Sequence, residues 1–280
     1  MRNVIKIENL TVKLRQRKGE RILVDRASFS VDEGRCLGIL GESGSGKSMT
    51  VKAVLGLLDR NFVVSGSAQF QGKDLIQEKK ETLREIRGNK VAMVLQNPMT
   101  CFDPLYRVGK QMEETFATHT DWSGEKIHRE SLEILGKMRI HDGEEVLQKY
   151  PHQLSGGMLQ RIMIGIAMAL KPALLIADEP TTAIDSITQA EILEEFRKIK
   201  EQHNTAMIFI SHDLGAVSSI ADEILVMNSG KIVDRGDFAH ILNHAEDPYT
   251  RLLVEKRRDV MEQYRNMIHG YKGRKEGVTC

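Results

Sequence analysis

The run Gly41-Glu42-Ser43-Gly44-Ser45-Gly46-Lys47-Ser48 satisfies G-x-x-x-x-G-K-[ST] at every fixed position. Glycines at this spacing let successive backbone N–H groups converge on phosphate oxygens, and a helix opening at the end of the loop adds partial positive charge. In such a loop Lys47 reaches the β- and γ-phosphates and Ser48 places its hydroxyl on Mg2+. A Gly/Ser-rich surface turn could match by chance, but the flanks argue otherwise. Cys36 to Leu40 is an apolar run that reads as a buried strand, and Ser48 to Leu58 is helical in character with no proline. The chain is expected to bind a nucleoside triphosphate.

Two further groups extend this chemistry. Leu174 to Ala177 is an apolar run ending in Asp178-Glu179. A buried strand would present Asp178 at its carboxyl end, where α/β sheets bind ligands, as a holder of Mg2+. Glu179 would then point to the other side of the chain, toward an attacking water, as general base or water-positioner. Leu154-Ser155-Gly156-Gly157-Met158 precedes a long helical segment, Met158 to Leu170, and builds a second anion-binding helix start. One nucleotide does not need two cradles in one chain. A head-to-tail dimer, in which this loop closes over the γ-phosphate held by the partner, uses both; a helix N-cap with flexible glycines is the plainer alternative.

The elements that must position these groups follow from periodicity. Short β-like runs (5–8, 10–14 and 27–31) alternate with polar turns such as Lys18-Gly19-Glu20, which predicts an antiparallel sheet leading into the phosphate-binding strand. Ser67 to Phe70 and Val91 to Leu95 are further strands. Val108 to Phe116, Ile127 to Met138 and Gly143 to Lys149 carry apolar residues three and four apart, predicting a helical insertion. Apolar runs return at Ala173 to Ala177 and Ala206 to Ile210, each followed by helix-like sequence, so a parallel sheet covered on both faces is expected. A hairpin around Asn228-Ser229-Gly230 follows, then a helix from about Pro248 into the 260s and a polar tail after Gly270.

Composition narrows the class. In 280 residues, 40 basic side chains face 39 acidic ones, so bulk charge gives no support for a nucleic-acid partner. Cys36, Cys101 and Cys280 are odd in number and widely spaced, which argues for a reducing compartment and against a disulfide framework or cysteine metal site. No signal peptide is read at the N-terminus, and the richest apolar window, Ile162 to Leu170, is too short to span a membrane. His240 and His244 could share a helix face, but without a third ligand they read as a solvated pair. Lys256-Arg257-Arg258 reads as a wet helix face.

With these motifs in order, the chain resembles the nucleotide-binding subunit of an ATP-binding-cassette (ABC) transporter over essentially its full length. Met158 stands where the family usually has Gln; Leu-Ser-Gly-Gly-Met is common among importers of oligopeptides, nickel and metal-chelating opines. The resemblance implies an α/β P-loop NTPase of the ABC ATPase type, with a parallel core sheet, an antiparallel β subdomain and a helical insertion. The implied divisions are 1–96 and 171–247 for the nucleotide-binding core, 97–170 for the insertion ending in the signature helix, and 248–280 for a C-terminal helix and tail. It also implies roles by position. Gln96 would touch Mg2+ and the lytic water and link them to the insertion; Asp185 would communicate across the dimer; His212 would hydrogen-bond the γ-phosphate. Leu14 takes the place of the family's adenine-stacking aromatic, so weaker base selectivity is expected.

The resemblance further implies ATP and Mg2+ as ligands and a peripheral place on the cytoplasmic face of the cell membrane. Its partners would be a second, different ATPase subunit, two membrane permease subunits and, indirectly, an extracytoplasmic substrate-binding protein. Gln96-Asn97-Pro98, Phe102-Asp103-Pro104-Leu105 and Asp247-Pro248-Tyr249-Thr250-Arg251-Leu252-Leu253 resemble segments of peptide and nickel importers. Ile176 to Thr182 with Ser155 to Arg161 looks closest to the first of two ATPases in nickel or metallophore importers. A peptide importer's ATPase is chemically equivalent and stays open as an alternative. A non-transport cassette of DNA repair or translation predicts a long coiled-coil insertion or tandem cassettes, and this sequence has neither.

Overall fold

The computed structural model describes residues 2–17, 19–182 and 186–256, with the side chains of all but 186, 187 and 203. Two sheets share the work. The first, in the order β2-β1-β4-β5, is antiparallel and built from β1 (Asn3–Gln16), β2 (Gly19–Asp32), β4 (Phe62–Phe70) and β5 (Lys73–Asp74). The second has the order β10-β9-β3-β8-β7-β6: β9 (Glu223–Asn228), β3 (Cys36–Leu40), β8 (Ala206–Ser211), β7 (Leu174–Asp178) and β6 (Val91–Val94) run parallel. β10 (Lys231–Gly236) closes its edge as an antiparallel hairpin with β9.

Every residue of β3, β7 and β8 is buried, as expected of strands covered on both faces. Alternation divides their side chains between two cores. Leu37, Ile39, Leu174, Ile176, Ile208 and Ile210 face α1 (Lys47–Val54) and the antiparallel sheet. Cys36, Leu40, Leu175, Ala177, Met207 and Phe209 face α6 (Gly156–Ala169), α7 (Ser186–His203), α8 (Leu214–Ile220) and the insertion helices. Phe196 of α7 meets Phe209 of β8 edge-on, with ring centroids 5.7 Å apart.

The insertion comprises α3 (Val108–His119), α4 (Gly124–Lys137) and α5 (Gly143–Gln148) before α6. Val108, Met112 and Phe116, spaced by four, are fully buried along one face of α3, and Ser123 caps α4 by accepting from the Lys126 N–H at 3.3 Å. Among the described residues, no helix is long and apolar enough to cross a membrane.

Several expected boundaries move. The runs 5–8 and 10–14 belong to one strand, because Asn9 adopts φ +51° and forms a bulge in place of a turn, its N–H bonded to the Ser28 hydroxyl at 2.8 Å. The helix after the phosphate-loop sequence stops at Val54, not Leu58, and Gly56 with φ +60° turns the chain away. β5, α2 (Lys80–Ile86) and α9 (Phe238–Asn243) were not foreseen as such. Residues 248–256 are helical as expected, while the rest of that expected helix and the tail lie outside the described residues.

Candidate active site

Parallel strands deliver the chemistry side by side. β3 ends in the loop 41–48, β8 ends before His212, β7 ends in Asp178-Glu179, and Gln96 follows β6 by two residues. Leu40 pairs with Ser211 and Asp178 with Ile210, so these carboxyl ends form one ledge, the usual ligand edge of an open α/β sheet.

The loop is folded for an anion. A Cβ on Gly41 would lie 2.3 Å from the Met227 carbonyl oxygen, so only glycine lets the loop press against β9. Gly46, at φ +104°, is the N-cap of α1 and offers no side-chain cap, which leaves the first N–H groups of that helix open. The Ser45 hydroxyl is buried and unpartnered. Lys47, buried to 4% exposure, donates to the Gly41 and Glu42 carbonyls at 2.6 and 2.9 Å. Burial pushes its pKa down, opposed chiefly by the charges of Glu179 and Asp178.

Ser48 donates to Asp178 Oδ1 at 2.6 Å, bringing two hard oxygen ligands together. Burial pushes the Asp178 carboxyl up, with the Ser48 hydrogen bond opposing. An orphaned hydroxyl, open helix N–H groups, a buried ammonium and paired oxygens fit a triphosphate with Mg2+.

Glu179 is the hub of the site. Its Oε1 lies 3.7 Å from Lys47 Nζ. Its Oε2 accepts from Gln96 Nε2 at 3.2 Å and from the Thr182 hydroxyl at 2.9 Å, and faces His212 Nδ1 at 3.2 Å. Its backbone holds φ +48°, a conformation costing on the order of 1 kcal/mol or more for a residue with a Cβ. The Glu179 N–H bonded to the Ile210 carbonyl at 2.9 Å fixes that turn.

Glu179, Gln96, His212, Lys47, Ser48 and Asp178 are thus brought together. Ser155, Gly156 and Gly157 stand apart as the start of α6: the exposed Ser155 caps it, its hydroxyl accepting from the Met158 N–H at 3.2 Å. Gly156 shares a cavity of about 520 Å³ with Gln96, Gln160 and Thr182. Asp185 lies outside the described residues. Leu14, half-buried in β1, stands between Arg21 of β2 and Phe62 of β4. The His240 and His244 rings lie 6.0 Å apart, and no group of three metal-ligating residues occurs among the described residues. Thr182 and Tyr249, the latter accepting from the Glu42 N–H, escaped the sequence reading; Thr182, three residues past Glu179, was within reach of a local turn argument.

Geometry of this kind defines an ATPase of the P-loop class. Residues 24–182 match the ABC transporter family, and the chain belongs to that family. It is the ATP-binding and ATP-hydrolysing subunit of an ABC importer, taking ATP with Mg2+; subunits of this kind dimerise and work with membrane permeases. The chain is 42% identical over 248 residues to the metal-staphylopine import system ATP-binding protein CntD of Staphylococcus aureus, covering 89% of this chain and 92% of that protein. It is 38% identical to the oligopeptide transport ATP-binding protein OppD of Haemophilus influenzae, covering 91% and 79%. A dimeric ATP-binding cassette in a post-hydrolysis state with ADP and phosphate superposes with a TM-score of 0.76 at 24% identity, covering 84% and 98%, which bears on the fold alone. These likenesses agree with the oligopeptide, nickel and metallophore importer branch expected from sequence.

Proposed function

We propose that the chain energises uptake of nickel or a metal–metallophore complex. The observation that carries this reading is the 42% identity, along nearly the whole of both chains, to an ATPase named for metal-staphylopine import. The likeness to OppD supports peptide as the alternative cargo.

In this reading the loop Gly41 to Ser48, through amides other than the Glu42 N–H that Tyr249 holds, and the Lys47 ammonium bind and orient the phosphates. Ser48, Asp178 and Gln96 hold Mg2+, which supplies charge neutralisation on the phosphate oxygens. Glu179 accepts the proton of the attacking water or aligns it, and His212, at the same carboxylate, donates to the γ-phosphate. Ser155, Gly156 and Gly157 cover the nucleotide held by a second subunit, and Asp185 communicates across that joint. The second subunit is a different ATPase, giving a heterodimer. The helical insertion, 97–170, passes closure through Gln96 to two permease subunits at the cytoplasmic face of the membrane, and a substrate-binding protein outside selects the cargo.

The test is uptake of radioactive nickel, with and without metallophore, against a labelled dipeptide in a strain lacking this chain. Loss of metal uptake with dipeptide uptake intact is expected. Retained metal uptake with lost dipeptide uptake overturns the choice of cargo.

A further inference from the structure

The peptide group joining Gly41 to Glu42 is gripped at both ends. Its carbonyl, on Gly41, accepts from Lys47 Nζ at 2.6 Å. Its N–H, on Glu42, donates to the hydroxyl of Tyr249 at 2.7 Å. A trans peptide points these two groups in opposite directions, and the described chain contains no cis bond. Fixing the N–H therefore fixes the carbonyl. Tyr249, 207 residues away in sequence, sets the orientation of a peptide that steers Lys47.

Tyr249 is itself held firmly. It sits in the first turn of the helical stretch 248–256, where its N–H donates to Asp247 Oδ1 at 2.8 Å. The N–H groups of Glu246 and Asp247 both donate to the carboxylate of Asp234, on β10, at 3.1 Å. Arg251 reaches back to the Ala245 and Glu246 carbonyls at 2.9 and 3.2 Å. Thr250 and Val254 are buried beneath the turn. The Lys256 ammonium also lies 3.6 Å from the Glu42 carboxylate, but both side chains are exposed and such a pair contributes little. The hydroxyl carries the contact.

We propose that Tyr249 is a positioning residue for nucleotide binding, through which the C-terminal segment clamps the first turn of the phosphate loop. The segment lies beyond residues 24–182, which carry the family match. Removing the hydroxyl leaves the Glu42 N–H without its acceptor and the 41–42 peptide held only through its carbonyl. Lys47 then loses the alignment of one of its two carbonyl partners. Phe keeps the ring that packs against the core, so the fold has no reason to change.

The inference rests on the loop 41–48 holding nucleotide. Equilibrium binding of MgATP to the purified full chain, with steady-state hydrolysis and thermal melting, tests both levels. Tyr249→Phe is expected to raise Kd and KM roughly three- to tenfold, the worth of one hydrogen bond, with kcat and melting temperature little changed. Glu42→Pro deletes the same bond from the donor side, and the double variant should bind no more weakly than Glu42→Pro alone. Unchanged Kd in Tyr249→Phe overturns the clamp, as do effects of the two substitutions that multiply. A melting temperature that falls together with kcat marks a structural role and also overturns it. Wild-type chain that fails to bind MgATP, or Lys47→Ala that binds normally, defeats the underlying reading instead.

Discussion

Lys47 Nζ stands 3.7 Å from Glu179 Oε1, an ammonium and a carboxylate facing each other beside the loop 41–48, both nearly sealed from solvent. Attraction across such a gap is far stronger than in water, so each charge holds the other in place. The lysine proposed to bind phosphate therefore also restrains the carboxylate proposed to act on water. A polyphosphate entering the loop competes for Lys47 and leaves Glu179 to Gln96, Thr182 and His212.

Glu179→Gln separates binding from hydrolysis. The amide keeps the shape and can still bond to Thr182, but it cannot take a proton. Hydrolysis is expected to fall by roughly 100- to 10,000-fold while MgATP binding persists, and the nucleotide-bound variant should elute as a dimer. Hydrolysis at the wild-type rate would remove Glu179 from the role of base.

Asp178→Asn should move stability and activity in opposite directions. Asp178 is buried, and burial raises its pKa despite the Ser48 hydrogen bond. Its charged form is thus disfavoured by folding, and the neutral amide should melt no lower than wild type near neutral pH. The same change removes an oxygen anion from the proposed Mg2+ site. The Mg2+ concentration for half-maximal hydrolysis should rise roughly tenfold or more, and chelation with EDTA should stop the wild-type enzyme. A variant with unaltered Mg2+ dependence would place the cation elsewhere.

That a glycine-rich loop would join a buried strand to a helix, and that Asp178-Glu179 would stand at the end of another strand, was legible because both signals are local: glycine and lysine at fixed spacing after one apolar run, acid at the end of another. The insertion helices were legible from the spacing of Val108, Met112 and Phe116. What escaped was set by contacts distant in sequence. Nothing near Asn9 says that its N–H will find Ser28, so one bulged strand reads as two. Nothing near Glu42 names Tyr249 as its acceptor. Gln96 and His212 were picked out only by family resemblance, and their meeting at one oxygen of Glu179 was not foreseen, since sheet order, not residue spacing, brings β6 and β8 beside β7.

His119 gives a pH dependence with a defined sign. It ends α3, where helix carbonyls favour the imidazolium, yet burial wins and holds its pKa below the ordinary 6.5. Below that value the unfolded chain takes up a proton that the folded chain resists, so stability drops as pH falls from 6.5 toward the folded-state pKa. Denaturant midpoints of wild type and His119→Gln should diverge as pH falls through 6.5, wild type losing more. Parallel curves would show that His119 does not titrate differently on folding.

The insertion carries its own reporter. Trp122 is the single tryptophan of the chain, and its ring lies 5.3 Å from that of Phe116, which is fully buried on α3. Its fluorescence therefore follows the packing of α3 against α4, where Ile127, Ile134 and Leu135 complete the same core. Phe116→Ala removes the ring beneath it and opens a cavity that the surrounding helices cannot close, at a cost of about 3–5 kcal/mol. The Trp122 emission of the variant should shift to the red before denaturant is added, and its unfolding midpoint should fall. MgATP affinity should change less than the midpoint does, because loop 41–48 packs against Met227 of β9 and bonds to Tyr249. If Phe116→Ala weakens nucleotide binding as much as it weakens the insertion, the two parts unfold as one unit and Trp122 reports on both.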